Sequence, residues 1–85
     1  MSPIYLRQGG LSFGWFSNEE GEPCHVHVFK GSDRSKSAKF WLTEDGPELA
    51  NNSARLSEKE LRIAYAVINA NRYRLMARWI TFFGN

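Results

Sequence analysis

The sequence predicts an α+β fold: a three- to four-stranded antiparallel meander followed by two C-terminal helices packed on one face. Three observations carry this. Residues up to about position 50 hold short runs that alternate apolar and polar side chains, separated by Gly-, Pro- and acid-rich turns. Ser57-Glu58-Lys59-Glu60 has the spacing of a capping box, serine at the N-cap and glutamate three residues on. Beyond it, apolar residues recur at helical spacing to the end of the chain. The 85 residues suffice for one hydrophobic core, so residues 1–85 read as one domain, with strands over about 4–50 and helices over about 57–83.

Each element has a local reason. Ile4 and Leu6 suit a short edge strand, followed by a flexible entry at Gln8-Gly9-Gly10. Ser12 to Ser17 alternates, with Phe13 and Trp15 to one side and Gly14 and Phe16 to the other; Gly14 suggests a bulge or a close backbone approach. Asn18-Glu19-Glu20-Gly21-Glu22-Pro23 is an acidic turn. His25 to Lys30 forms the next strand, and Gly31 to Lys36 is too polar to bury. Ser37 to Thr43 is a third strand, with Ala38, Phe40 and Leu42 on one face and Lys39 and Trp41 on the other. Glu44-Asp45-Gly46-Pro47 turns again, and Glu48-Leu49-Ala50 adds a short strand or opens a loop. Short connections make the pairing antiparallel.

Leu61, Ala64, Tyr65 and Ile68 mark the apolar stripe of a first helix. Run unbroken to Phe83, that helix would be about 40 Å long at 1.5 Å per residue, against a gyration radius of about 12 Å for a domain of this size. A break is therefore expected at Asn69-Ala70-Asn71. Asn71 would then cap a second helix with Leu75, Met76, Trp79, Ile80 and Phe83 facing inward, and Gly84 ending it.

Composition narrows the function classes. No apolar run reaches the roughly 18 residues that cross a bilayer, and Met1 to Arg7 lacks the apolar core of an export signal. A single cysteine cannot staple the domain, which points to a reducing cytoplasm. The net charge of +2 is unevenly placed. Residues 1–54 hold five Lys/Arg and seven Asp/Glu, for −2, whereas residues 55–85 hold six Lys/Arg and two Asp/Glu, for +4. A basic C-terminal part suits RNA, DNA or an acidic partner protein, or else these side chains form a solvated helix face.

The chemistry concentrates in Pro23-Cys24-His25-Val26-His27-Val28-Phe29. Strand alternation puts His25, His27 and Phe29 on one face, with Lys39 and Trp41 beside them, and the two imidazoles about 6–7 Å apart at the backbone. Three readings of the pair stand. One or both rings pack under Trp41 or a helix and hydrogen-bond the backbone. Or they form half a metal site, completed by Glu19, Glu20 or Glu22. Or they act on RNA as catalytic acid and base, with Phe29, Lys39, Trp41, Arg72, Arg74 and Arg78 contacting the nucleic acid. The last reading requires the sheet to display the imidazoles toward solvent or a ligand. Cys24 and His25 point to opposite faces and make no nucleophile–base pair; Cys24 is a small buried filler. No third histidine or second cysteine supports a resident metal, and no Gly-rich loop offers a phosphate cradle, so no cofactor is expected.

These residues resemble a known pattern. Gly14-Trp15-Phe16, an acidic turn, then Pro23-Cys24-His25-Val26-His27-Val28 look like the bacterial domain of unknown function family 4160. Lys39-Phe40-Trp41, Leu56-Ser57-Glu58-Lys59-Glu60-Leu61, and Asn71 to Trp79 extend the likeness over roughly residues 4–83. The chain departs from it at Cys24, where proline is common in the family. The resemblance implies a small cytoplasmic bacterial protein, often encoded beside a second small gene in an arrangement read as a toxin–antitoxin pair. It supplies no catalytic residues. A small cognate protein encoded nearby is the expected partner, with RNA as a target and a homodimer as a further assembly. A non-enzymatic interaction module is the alternative, and a metal-binding domain a third reading.

Overall fold

In the computed structural model, which describes residues 4–84, five strands and one helix follow in chain order. The strands are β1 (Ile4–Gln8), β2 (Leu11–Gly14), β3 (His25–Lys30), β4 (Ala38–Thr43) and β5 (Gly46–Asn52); the helix is α1 (Glu58–Phe83). The strands form one antiparallel sheet in sequence order, β1-β2-β3-β4-β5. The α+β class and the meander hold. The sheet has five strands rather than three or four, and the C-terminal part is one helix rather than two.

The extra strand area comes from two turns that are tighter than the sequence suggests. Gly9 and Gly10 adopt φ of 66° and 80°, so Gln8 pairs directly with Leu11. This is a two-residue hairpin of the kind that needs left-handed residues, not a flexible entry. Thr43 likewise pairs with Gly46, so the turn consumes only Glu44 and Asp45 and Pro47 joins β5 opposite Leu42. β5 is an edge strand, where a missing N–H costs little.

The helix begins as the capping box requires. Ser57 Oγ accepts from the Glu60 N–H (3.1 Å), and Glu60 Oε1 accepts from the Ser57 N–H (2.9 Å). It ends at Gly84, whose φ of 75° and N–H bond to the Ile80 carbonyl close the last turn. It does not break near Asn71. Its buried residues, Ala64, Val67, Ile68, Leu75 and Trp79, keep one stripe across that point. Asn71 lies half-buried in the stripe and donates its amide back to the Val67 carbonyl (2.8 Å), which removes the competition with backbone that would have made it a cap. A 26-residue helix is about 39 Å long, more than the longest 33 Å dimension of the molecule, so it crosses the domain obliquely. An oblique path accommodates the length that a straight crossing would not. Tyr65 and Ile80, expected inside, are exposed.

The core lies between α1 and one sheet face. Phe13, Val26, Val28, Ala38, Phe40 and Leu42 meet Ala64, Val67, Ile68 and Leu75 there. Trp15 and Trp79 pack edge-on, 5.2 Å between ring centroids, near the helix end. Among the described residues, no helix is long and apolar enough to cross a membrane.

Candidate functional site

The opposite sheet face carries His25, His27, Phe29, Lys39 and Trp41, as strand alternation requires. His25 stands opposite Trp41 and His27 opposite Lys39 in the β3–β4 register. The face is not displayed. His25 is 0 % exposed, His27 8 % and Phe29 0 %. The segment between β2 and β3 folds back over them. Phe16 meets His27 edge-on at 4.9 Å and Phe29 at 5.9 Å, Arg34 caps Phe29 from the next loop, and Trp79 reaches His25 from the helix end at 4.8 Å. The expectation of a flat surface showing two imidazoles to solvent is not met. An acidic turn reads as exposed in sequence, but here it delivers one of its glutamates inward.

That glutamate is Glu19, itself buried. Two consecutive turns, Glu19 N–H to the Phe16 carbonyl and Glu22 N–H to the Glu19 carbonyl, bend the loop back. Oε1 accepts from the Phe16 N–H at 2.8 Å. Oε2 sits between the two imidazoles, 2.7 Å from His27 Nε2 and 2.9 Å from His25 Nε2. Each ring is anchored at its other nitrogen. His25 Nδ1 lies 2.9 Å from the Pro23 carbonyl and His27 Nδ1 2.7 Å from Ser37 Oγ. The His27–Glu19 contact is a hydrogen bond. The His25 Nε2–Glu19 Oε2 approach, at 2.9 Å, is not one, and His25 Nε2 is left buried without a hydrogen-bond partner.

Electrostatics follow from this packing. Burial pushes Glu19 upward, but the hydrogen bonds from His27 and the Phe16 N–H, with His25 alongside, outweigh it and hold the carboxyl below its usual range. Burial pushes His27 below the usual imidazole value against the pull of Glu19. Cys24, expected as a buried filler, is half-buried against the core, and burial raises its thiol to about 11.

The other residues singled out by sequence are dispersed. Lys39 pairs with Glu22 (2.6 Å) and lies over the Trp41 ring, so its charge is already met. Arg72 is occupied by Asn69 and the neighbouring Tyr73. Arg74 and Arg78 come together, far from the histidines in sequence, with Ala77, Thr81 and Phe82 of α1 and Tyr5 of β1. They line an open cleft of about 520 Å³. Arg78 lies over the Tyr5 ring at 5.5 Å, and Phe82 meets that ring edge-on at 6.4 Å. Among the described residues neither Arg74 nor Arg78 forms an ion pair. Sequence reasoning missed Tyr5 and Phe82, since no periodicity joins β1 to the last helical turn. It named Glu19 only as one of three equivalent glutamates.

No curated protein and no solved structure matches the chain. A family model described as Domain of unknown function (DUF4160) matches residues 10–80, from the first hairpin turn to the penultimate turn of α1 and including Glu19, His25 and His27. The chain therefore belongs to the DUF4160 family, as its His-x-His strand and its capped helix with Trp79 near the C-terminal end suggest.

Proposed function

We propose that this domain is an RNA-binding module that holds a single-stranded segment in the cleft between β1 and the C-terminal half of α1. The observation that carries this is the meeting, in one open cleft, of Arg74 and Arg78, which form no ion pair among the described residues, with the exposed Phe82 ring and the half-buried Tyr5 ring. Bases stack on aromatic faces and guanidinium groups meet phosphates, a combination that suits single strands better than duplexes. The +4 balance of residues 55–85 adds a general attraction for a polyanion. Binding rather than cleavage is the activity proposed, because the two imidazoles lie beneath the β2–β3 segment and line no part of the cleft. A role as one partner of a two-gene toxin–antitoxin-like module is compatible with such an activity and rests on the family resemblance alone.

The test is fluorescence anisotropy with a labelled pyrimidine-rich oligoribonucleotide and a duplex of the same length, over a range of salt concentrations. Binding should favour the single strand. The Arg74→Ala/Arg78→Ala variant should bind at least tenfold more weakly. Its salt slope should be shallower by about 1.4, the value for two phosphates that arginine no longer neutralises. Salt-independent binding, or affinity unchanged in that variant, refutes the reading. Tight binding of an acidic peptide with none to RNA would replace it with a protein-docking role.

A further inference from the structure

The geometry points to a divalent transition-metal site, of zinc class, formed by Glu19 Oε2, His25 Nε2 and His27 Nε2. These three donor atoms come from a surface turn and one strand and converge within 4.8 Å of one another in the covered interior. Convergence alone would fit a buried ion pair. The hydrogen bonding around the two rings points to more.

The Pro23 carbonyl can only accept, so His25 Nδ1 must carry the proton in that 2.9 Å contact. In the neutral ring, Nε2 then holds a bare lone pair. That nitrogen is fully buried, lacks a hydrogen-bond partner, and stands 2.9 Å from a carboxylate oxygen that also has only lone pairs to offer. Two acceptors face each other across a space that calls for a cation.

The surroundings match what metal-binding histidines require. Such rings are usually fixed by a hydrogen bond from the nitrogen that does not bind the metal. Here the Pro23 carbonyl fixes His25 and Ser37 Oγ fixes His27, leaving both Nε2 atoms within 2.9 Å of the same carboxylate oxygen. Two imidazoles and one carboxylate favour a borderline first-row ion over calcium or magnesium, which prefer all-oxygen sites. Among the described residues no cysteine sulfur or third imidazole joins the cluster, so one tetrahedral position remains for water or another small ligand.

Ligands 2.0–2.1 Å from a tetrahedral ion stand about 3.3 Å apart, against the 2.9 and 2.7 Å found here. The three donor atoms span up to 4.8 Å, so loading requires the two imidazoles to draw together as the carboxylate withdraws by about half an ångström. Glu19 can supply that movement because it rides on a turn whose flanking residues, Asn18 and Glu20, are exposed. The ion would tie the β2–β3 segment to the sheet.

The test uses the full chain without a histidine tag, stripped with a chelator and titrated with zinc chloride against a chromophoric competitor, with thermal unfolding followed in parallel. One zinc per chain should bind, and the wild-type melting temperature should rise with zinc. Glu19→Gln, which keeps the side chain's shape and the Phe16 bond, and His27→Ala should each weaken zinc at least tenfold. Ser37→Ala, which touches only the His27 anchor, should weaken it by roughly 10-fold or more at unchanged stoichiometry. Circular dichroism before titration establishes that each variant is folded. Less than one equivalent of zinc bound at millimolar concentration, or equal affinity in wild type and Glu19→Gln, overturns the site and leaves a buried histidine–carboxylate cluster. Arg74→Ala/Arg78→Ala should bind zinc normally, so this inference and the RNA-binding proposal fail independently.

Discussion

Replacing Glu19 measures how much of the fold depends on one inward-turned side chain. Its carboxylate makes two clear hydrogen bonds, one to the Phe16 N–H at 2.8 Å and one to His27 Nε2 at 2.7 Å, while also facing His25. Hydrogen bonds to a charged group are worth about 1.5–3 kcal/mol each, and a buried group left unpaired adds its desolvation cost. Glu19→Ala should therefore destabilise the chelator-treated protein by about 3–5 kcal/mol. That is a large share of the roughly 4–13 kcal/mol available to a domain of this length. Glu19→Gln should cost only about 1 kcal/mol, since its carbonyl can still accept from Phe16 and its NH₂ can donate to His27 Nε2. The latter needs only that the His27 proton move to Nδ1, where Ser37 Oγ can accept it. In urea, with an m-value of about 1 kcal/mol/M for so small a protein, the two midpoints should separate by at least about 2 M. Coincident midpoints for the two variants, or Glu19→Ala unfolding close to wild type, would refute the view that this carboxylate pins the loop to the sheet.

Two further outcomes test the packing. Gly9 and Gly10 both have positive φ, but a Cβ on Gly9 would meet Ile63 Cγ2 at 2.8 Å whereas one on Gly10 meets open space. Gly10→Ala should cost about 1 kcal/mol for its left-handed backbone and Gly9→Ala about 2–3 kcal/mol; equal costs by urea unfolding would mean that the hairpin does not press on α1. Burial raises the Cys24 thiol from 9.0 to about 11, so at pH 8 its alkylation should be roughly 100-fold slower in folded than in urea-unfolded protein. Because the folded state retains this proton longer, the stability it brings is complete below about pH 9 and is lost as pH rises towards 11. Equal alkylation rates in the two states would contradict its burial.

Much of the architecture is legible residue by residue. Alternation in His25–Lys30 and Ala38–Thr43 assigns each side chain to its face because the strand period of two leaves no other choice. The Ser57/Glu60 box and Gly84 bound α1 because orphan backbone groups at helix ends need those residue types. The break expected at Asn71 did not follow, because a side chain's alternative to capping depends on which carbonyl lies within its reach. Only the folded helix places that of Val67 there.

The candidate sites divide along the same line. Sequence alone established that His25 and His27 share a face and that the C-terminal third is basic, since both follow from local periodicity and composition. It could not decide that Glu19 rather than Glu20 or Glu22 turns inward, that the imidazoles are covered, or that Tyr5 meets Arg78 and Phe82 from the far end of the chain. Those outcomes depend on how the connection between β2 and β3 and an oblique helix pack against the sheet. Contacts of that range are set by shape and burial summed over the whole core, a quantity no local stretch of chain contains.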